Sequence, residues 1–508
     1  MTTPMARYVR LSSKKGSVLT RMRRCAELTV PSMCPPEGHT ENTPLKSPWQ
    51  SHGARITTRL ASKLVLTLMP PNTPFYQFGL SAEMEAKLAA MSEGQQAEGQ
   101  ANPLTAVNIA LSNNEQVILS RLEKRNYRVP LGRALLCCIV TGDVLFEFLD
   151  GNLRWFRPDQ FVVRRTGAGS LVEAVIKEPI VYEEIPENLQ HHFTDDDSQA
   201  AHIYTRYWKD GKLWRTEQSI NEYPVDGSDG TYSSDDTVPV FGVPYSLMTG
   251  ENNGRGLVEE NIGDLISYEA LSKSFTESAA IMAQIKFLVN PNGSTKISDL
   301  NSTPNGGYCP GTLKDVEVLN VQHFNEVRVA GEKLWDLKKS LSAAFLDTGS
   351  IQREGERVTA EEIRLMAEEL EAGLGGFYSQ LALSLITPFL KRVIRFLEQS
   401  KEILAMPDFV ELKITTGFEA LGRGHDLQKL KGFAQDVTEL GEEGLSWVDM
   451  GDLVSRLAAS RGLDQRGLVK TKQTKQAENQ QNQQAAMMQA ATPAVAREAT
   501  KGMMGGPK

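Results

Sequence analysis

The sequence contains few cysteines, and their arrangement excludes two kinds of site. Its 508 residues include Cys25, Cys34, Cys137, Cys138 and Cys309, and none of these is part of a C-x-x-C pair. An odd number of cysteines without paired spacing argues against a disulfide framework and against a zinc knuckle. The cysteine content therefore favours a reducing compartment.

Long hydrophobic runs are also absent. The longest apolar stretches, LASKLVLTLM and ALLCCIVTGDVLFEFL, are interrupted by Lys, Thr, Gly or Asp, well short of the roughly 20 residues that a membrane span requires. We therefore predict no transmembrane helix and no membrane partner.

The chain lacks a nucleotide-binding loop and an excess of basic residues. No G-x-x-x-x-G-K-[ST] sequence occurs, and two GRG turns lack the third glycine of a dinucleotide fingerprint. The sequence thus gives no sign of an ATP-driven motor, and no cofactor is expected.

The net charge is −8, whereas a general nucleic-acid-binding protein usually carries a basic surplus that neutralises phosphates. Any contact with DNA is therefore expected to be local or weak.

The remaining composition is that of a folded protein with several subregions. Hydrophobic residues make up 40% and charged residues 23% of a chain that is long enough for two to four such regions. The first 24 residues carry seven Lys or Arg and no acid. We expect a solvated segment there, with a transit peptide or a basic nucleic-acid arm as alternatives.

Hydrophobic periodicity divides the chain into helical and strand regions. Residues 1 to about 140 are predicted to be helical, with interruptions where Pro and Gly cluster. From residue 140 the segments DVLFEFLDGNLRWFRP, FVVRRTGAGSLVEAVIKEP and AHIYTRYWKDGKLWRTEQ alternate and contain turn signals, which predicts an antiparallel meander. VDGSDGTYSSDD is predicted to be a loop.

Two long helices are predicted next, at residues 256–288 and 323–346, separated by an insert rich in Gly, Pro and Asn. They would be about 50 and 36 Å long at about 1.5 Å per residue. We interpret this region as a helical hairpin with a small module at its tip.

A charged segment, DTGSIQREGERV at 347–358, precedes a well-capped helix. Thr359 and Glu362 form a capping box, and the apolar stripe that follows includes Met366 and Leu370. Bends are expected at the following glycines and at Pro388. The segment VELKITTGFEAL predicts a short strand, residues 425 to about 468 are predicted to be helical, and a Gln- and Met-rich tail of low complexity follows.

One cluster of side chains resembles a metal site. The stretch HHFTDDDSQAAH brings together imidazoles and carboxylates that could bind a divalent ion, at His191, His192, Asp195, Asp196, Asp197 and His202. A metal-dependent hydrolase is therefore kept as the alternative function. The interpretation without a metal site is a solvated loop. The spacing matches no known ligand motif, and adjacent histidines on an extended chain point to opposite faces. Cys137 and Cys138 are expected to pack as small hydrophobic residues.

Six blocks, in order along nearly the whole chain, resemble the portal, or head-to-tail connector, proteins of short-tailed phages (the podovirus type). The blocks are PWQSHGARITTRLASKLVLTLMPP from Pro48, VDGSDGTY from Val225, GRGLVEENIGDLISYEAL from Gly254, VNP from Val289, QREGERVTAEEIR from Gln352 and TTGFEALGRGHDL from Thr415. Six unrelated blocks in register are much more specific than one motif.

The resemblance implies a ring-forming α+β protein of portal type, with twelve copies around a channel at one capsid vertex. The regions it implies are a wing at 1–255, stem helices at 256–288 and 323–346, a clip at 289–322, a channel loop at 347–358, a wing helix and strand at 359–424, a crown at 425–470 and a flexible tail at 471–508. The expected fold thus consists of a helical wing and crown, a β meander, long stem helices and a small clip.

The resemblance also implies a function without catalysis. Double-stranded DNA would be packaged by a separate terminase motor, retained and later ejected through the channel. The implied partners are further copies of the chain, the DNA, the terminase large subunit, the major capsid and scaffolding proteins, a tail adaptor and internal core proteins. The protein is expected in the virion, and in the host cytoplasm during assembly.

Two sets of charged residues are the candidate DNA contacts. The channel loop contributes Arg353, Glu354, Glu356 and Arg357, whose mixed charge could touch phosphates without reading sequence. The stem contributes lysines that could face the lumen, at Lys273, Lys286, Lys333, Lys338 and Lys339. The alternative for these lysines is a solvated or intersubunit face with salt bridges.

Overall fold

A computed structural model describes residues 3–71, 75–81, 83–84, 87, 103–194, 201–282, 286–319, 324–347, 360–374, 376–407, 409–414, 432–439 and 453. The chain divides into two compact units, Met1–Gly417 and Phe418–Lys508. In the second unit, residues 432–439 form a helix. All other elements named below belong to the first unit, which mixes helices with antiparallel sheets as the predicted α+β class requires.

The elements of the first unit have the following bounds. The α-helices are α1 Pro4–Glu27, α2 His52–Leu68, α3 Pro103–Arg125, α4 Arg128–Thr141, α5 Glu187–Gln190, α6 Leu257–Glu260, α7 Ile262–Met282, α8 Ile297–Ser302, α9 Phe324–Ala344, α10 Ala360–Gly373, α11 Phe377–Leu381 and α12 Thr387–Gln399. The strands are β1 Tyr76–Leu80, β2 Asp143–Leu149, β3 Asn152–Phe156, β4 Phe161–Arg165, β5 Leu171–Ile180, β6 Ala201–Asp210, β7 Leu213–Ile220, β8 Tyr223–Pro224, β9 Gly230–Tyr232, β10 Val240–Pro244, β11 Lys286–Val289, β12 Val316–Leu319 and β13 Val410–Ile414.

The largest hydrophobic core is built on α2 and α4. Ile56, Leu60 and Leu64 of α2 recur every four residues and are buried, so one side of this helix faces the core. Helix α4 is buried over nearly its whole second half, and Cys137 and Cys138 are fully enclosed there. The prediction that these two cysteines pack as small hydrophobic residues is confirmed.

The predicted meander forms two sheets. Strands β10, β2 and β3 make one antiparallel sheet, and β4 to β8 pair in chain order in the other. The loop prediction for VDGSDGTYSSDD is wrong at β9, where Thr231 pairs with Arg215 of β7. The edge of β7 supplies backbone partners that a pattern based on polarity does not reveal.

The basic N-terminal segment is part of the fold, and the prediction that it is solvated is wrong at Lys15, whereas Arg10, Lys14 and Arg24 are exposed. Residues 4–27 form α1, with Pro4 in the first turn and the Thr3 hydroxyl accepting from the Ala6 amide. Lys15 is only 4% exposed, and its Nζ donates to the carbonyls of Pro158 and Phe161 at 2.8 and 2.9 Å. These carbonyls at the start of β4 accept hydrogen bonds from a charged group that composition alone would place in water.

The prediction of one helix from 256 to 288 is confirmed at its start but wrong at its end, and the helix is interrupted at Asn261. Helix α7 begins at Ile262, after the short α6, and ends at Met282. Residues 286–289 instead form β11, which pairs with β12 in antiparallel register. The sequence KFLV forms a ladder with VEVL and thereby satisfies its backbone groups outside the helix. The second predicted helix is confirmed as α9, within two residues at each end.

The capped helix exists as α10, but Thr359 lies outside the described residues, so the capping box stays a prediction. Chain direction changes at Gly376, which has φ +87° and precedes α11. A π-helical turn, Ala382–Ile386, then leads into Pro388, which has no N–H to donate to the preceding turn. Strand β13 is confirmed; its partner β1 falls within the region predicted to be helical with interruptions, where no strand was predicted.

Candidate functional site

Helices α7 and α9 pack antiparallel, as two contacts along their length show. Near the middle, a Cβ on Gly331 of α9 would lie 3.4 Å from Cε2 of Phe275 of α7. Further along, the Ser340 hydroxyl of α9 donates to Asp264 Oδ2 of α7 at 3.4 Å. The absence of a side chain at residue 331 lets the two helices approach closely there.

One end of this pair is anchored in the main core. Buried apolar side chains from both helices belong to that core: Leu265, Tyr268, Leu337, Leu341 and Phe345. His52 of α2 lies 3.2 Å from the Ser342 hydroxyl, and its ring centroid is 5.7 Å from that of Tyr268. Burial lowers the pKa of His52, which favours the neutral imidazole at this contact. Glu269 of α7 also accepts from the backbone amides of Trp49 and Gln50.

The half of the pair that faces away from the core is exposed and carries large apolar side chains. Trp335 is 65% exposed, and Ile281 and Val329 are each 58% exposed. Phe275, Val327 and Gly331 line a shallow groove beside Trp335. Since soluble proteins rarely leave such patches uncovered, this half of the helical pair is a candidate contact surface.

The module between the two helices, residues 286–319, is held together by one carboxylate. Asp315 Oδ2 accepts from the backbone amide and hydroxyl of Ser294 at 2.8 and 3.0 Å, and from those of Thr295 at 3.2 and 3.1 Å. Desolvation acts to raise the pKa of Asp315, but these hydrogen bonds outweigh it and lower the pKa. The Thr295 hydroxyl in turn accepts from the Thr312 amide at 3.0 Å.

The surface of this module carries isolated apolar groups. Tyr308 is fully exposed and Leu313 nearly so, and Leu288 and Ile297 are more than half exposed. Tyrosine is enriched at protein interfaces, and exposed aliphatic side chains gain stability when a partner removes them from water. The module at the end of the helices is therefore a second candidate contact surface.

The lysines predicted to face a lumen are spread around the helical pair. The Lys273 ammonium lies 3.9 Å from Glu277 and 5.8 Å from the centroid of the Trp49 ring, and that of Lys338 lies 5.4 Å from the centroid of the Trp335 ring. Lys333 and Lys339 are exposed on α9. At about 100° per helical residue, Lys333 is about 140° from Lys338 and about 120° from Lys339. Lys286 is in β11, and its side chain is outside the description. The three lysines of α9 therefore do not share one face.

The predicted channel loop, with Arg353, Glu354, Glu356 and Arg357, lies outside the described residues, but its flanks are described. The Arg59 guanidinium of α2 donates to both oxygens of Asp347, at 2.9 and 3.0 Å. Lys63, one turn later, donates to the Leu346 carbonyl at 2.6 Å and lies 3.7 Å from Glu369 of α10. Helix α2 thus binds the chain before and after residues 348–359.

Sequence reasoning missed this role of α2. Arg59 and Lys63 are spaced i and i+4, which places them on one side of the helix, along one edge of the apolar stripe. That spacing was the available signal. It could not indicate the partners, because Asp347 is 288 residues away along the chain.

The histidine cluster takes part in aromatic contacts. The His192 ring stacks on Tyr223, with centroids 4.0 Å apart and planes 10° apart, and its centroid is 3.8 Å from that of His191. The prediction that the adjacent histidines point to opposite faces is wrong, because the chain turns after α5. His202 is the second residue of β6, and Asp195, Asp196 and Asp197 lie outside the described residues. Among the residues that are described, no group of three or more His, Cys, Asp or Glu is arranged to hold a metal ion.

No helix in the described ranges is both long and apolar enough to cross a membrane.

Comparisons with known proteins cover most of the chain. A profile of the family described as "Bacteriophage head to tail connecting protein" matches residues 2–469. The portal protein of Enterobacteria phage T3 is 33% identical over 93% of this chain and 89% of its own length, and that of Escherichia phage T7 is 32% identical over 92% and 88%. A solved structure titled "Neck of native GTA particle computed with C12 symmetry" aligns over 81% of this chain and 90% of its own, at 10% identity and a TM-score of 0.35.

Proposed function

The chain belongs to the bacteriophage head-to-tail connecting protein family, and from this membership we propose how its parts work in a portal. It is a structural component of the virion at the portal vertex, where it connects head to tail and lets DNA pass. The family is one of structural proteins, so no catalytic residue is assigned to the chain.

We propose that twelve copies close into a ring around the channel. The observation that carries this proposal is the exposed half of the α7 and α9 pair, with Trp335, Ile281 and Val329 uncovered in the single chain. A head-to-tail contact between copies covers such surfaces on every subunit and closes when the rotation between neighbours divides a full turn. A ring of this kind leaves a hole on its axis.

In this arrangement α7 and α9 are the stem helices, and the module at 286–319 between them is the clip. Residues 1–255 and 359–424 form the wing, 425–470 the crown and 471–508 the tail. Each stem helix has 21 residues, which gives a length of about 32 Å at about 1.5 Å per residue. This is shorter than the sequence prediction for the first helix, because α7 begins only at Ile262 and residues 286–289 form a strand of the clip.

The segment 347–358 is proposed to be the channel loop. Arg353 and Arg357 would form rings of cations around the DNA, offset by Glu354 and Glu356 on the same loop. Such mixed charge contacts phosphates transiently without reading sequence. The contacts of Arg59 and Lys63 with both flanks support this proposal, since a loop that meets moving DNA needs fixed ends.

The clip is proposed to bind the terminase large subunit during packaging and a tail adaptor afterwards. Its exposed Tyr308, Leu313 and Ile297 offer anchors of the kind found at protein interfaces. Major capsid, scaffolding and internal core proteins are proposed to meet the wing and crown. Of the stem lysines, Lys333 is retained as a candidate lumenal cation.

Mass photometry of the purified full chain, followed by negative-stain top views, tests the ring. We expect a single closed species with a central hole and a mass of about twelve chains. A chain that remains monomeric across salt and protein concentration, or an image of a compact globule without a hole, would contradict the proposal.

A further inference from the structure

We propose that α9 of one copy packs against α7 of the next copy, through two exposed stripes that match in charge and size. The inference rests on the ring proposed above and names the surfaces that close it. The occupant of each stripe is thus a second copy of this chain.

The first stripe, on α9, faces away from the core. Its exposed members recur at intervals of one to four residues: Arg328, Glu332, Trp335, Asp336 and Lys339. With about 3.6 residues per turn they fall within a sector of about 100°. The buried Leu337 and Leu341 lie on the opposite side of the helix.

The second stripe, on α7, has the same character. Its exposed members are Ala270, Lys273, Ser274, Glu277 and Ile281, which also fall within about 100°. The buried Leu265 and Tyr268 lie on the other side. Each stem helix therefore has one side in contact with its own chain and another side free for a neighbour.

The antiparallel register places the two stripes at known relative heights. Phe275 lies opposite Gly331, and Asp264 lies opposite Ser340. Counting from the first contact, Arg328 is level with the turn that contains Glu277, and Glu332 with the turn that contains Lys273. Trp335 is level with Ala270 and Leu271. A rotation about an axis parallel to the helices keeps these heights, so the same levels meet between copies.

At each of these levels the two stripes are complementary. Arg328 meets Glu277 and Glu332 meets Lys273, so both charged levels pair opposite signs. The large Trp335 meets the small Ala270, as packing of helix ridges into grooves requires. Within one chain Lys273 and Glu277 are 3.9 Å apart and about half exposed, so each has room for a second partner of opposite sign.

This alternation identifies the partner as another copy and not DNA. A polyanion offers one sign of charge along its length, whereas the stripe on α9 carries both signs and a tryptophan. Interfaces between copies use buried aromatic anchors surrounded by charged groups that fix the register. The assignment places Lys273 between subunits and leaves Lys333, about 100° from Glu332 on α9, outside the contact.

Charge reversal with rescue tests the contact in the full chain. Glu332→Lys and Lys273→Glu each place like charges together, and we expect either to raise the protein concentration needed for half-maximal ring formation by at least about tenfold. The double variant E332K/K273E restores opposite signs and should return within about threefold of wild type. Lys333→Glu is the matched control on the same helix and should leave ring formation unchanged. Mass photometry over a concentration series gives all four values.

Trp335→Ala provides a variant without any change of charge. Loss of a central aromatic anchor should raise the half-maximal concentration by about thirtyfold, while circular dichroism of the monomer stays the same because the side chain is mostly exposed. Rings that form normally in Glu332→Lys and Trp335→Ala, or a double variant no better than its single variants, would overturn the proposed contact alone. A wild-type chain that never closes would instead overturn the ring.

Discussion

The Arg59 guanidinium of α2 donates to both carboxylate oxygens of Asp347, at 2.9 and 3.0 Å, although 288 residues separate the two residues in the sequence. Asp347 is the first residue of the proposed channel loop and is followed by residues 348–359, which lie outside the described residues. The contact therefore connects α2, the helix of the N-terminal block, to the segment proposed to meet DNA.

Removal of this contact should loosen the loop without unfolding the protein. The pair is partly exposed, so Arg59→Ala should cost about 1 kcal/mol at most in global stability. Trypsin cleavage at Arg353 and Arg357 should become faster than in wild type, because the loop loses one of its fixed ends. Arg55→Ala, one turn earlier on α2 and hydrogen-bonded to the Ser51 hydroxyl at 3.2 Å, is the control. Equal cleavage rates for all three proteins would show that Arg59 does not restrain the loop.

Neutralising the loop cations should affect DNA and not assembly. In Arg353→Gln/Arg357→Gln, ring formation should match wild type, since neither residue belongs to the proposed contact between copies. Retention or passage of the genome should be impaired, because the rings of cations next to the phosphates are lost. Packaged-DNA length and infectivity measure this effect. Unchanged values in the double variant would refute the loop assignment, whereas Arg215→Gln on the β7 surface controls for a general loss of charge.

Gly256, at the junction of sheet and stem, should not tolerate a methyl group. A Cβ on Gly256 would lie 2.6 Å from the Ile139 carbonyl oxygen and 2.9 Å from the Gly142 nitrogen. Since both neighbours are backbone atoms, Gly256→Ala should lower the unfolding free energy by about 1–3 kcal/mol. Gly263→Ala, on α7 with no atom within 4 Å of its Cβ, should instead raise it by about 0.5–1 kcal/mol. Denaturant titration of both variants tests the contrast, and an equal response would contradict it.

The buried Lys15 should make stability rise with pH in a defined window. Burial lowers the pKa of Lys15 from 10.5 to about 8. Between these values the unfolded chain binds more protons than the folded chain, so the unfolding free energy increases with pH. The folded state is disfavoured by charging Lys15 below about pH 8, and this penalty disappears as pH rises toward 10.5.

Thermal unfolding of wild type and Lys15→Met between pH 7 and about 11 measures this slope. The difference in stability between the two proteins should change by a few kcal/mol at most, at about 1.4 kcal/mol per pKa unit. Lys14→Met, at an exposed position on the same helix, should follow wild type. A difference that stays constant with pH would show that Lys15 keeps its ordinary pKa in the fold.

Local patterns predicted much of the fold. The alternation of residues 143–180 and 201–220, the turn signals between them and the second stem helix all have local causes, since side chains two or 3.6 residues apart share a face. The end of the first stem helix did not follow from the pattern, because Lys286–Val289 is a strand only when β12 lies beside it.

The candidate site likewise combines features that follow from the sequence with features that depend on the fold. The sequence by itself determined most of the order of elements and the family, since these depend on local spacing and on blocks along the chain. Only the tertiary structure decided that Lys15 is buried, that Arg59 meets Asp347 and that the stem stripes lie at matching heights. Each of these depends on which distant atoms share a small volume. A charged side chain prefers water unless the fold places hydrogen-bonding partners beside it, and local sequence does not reveal those partners.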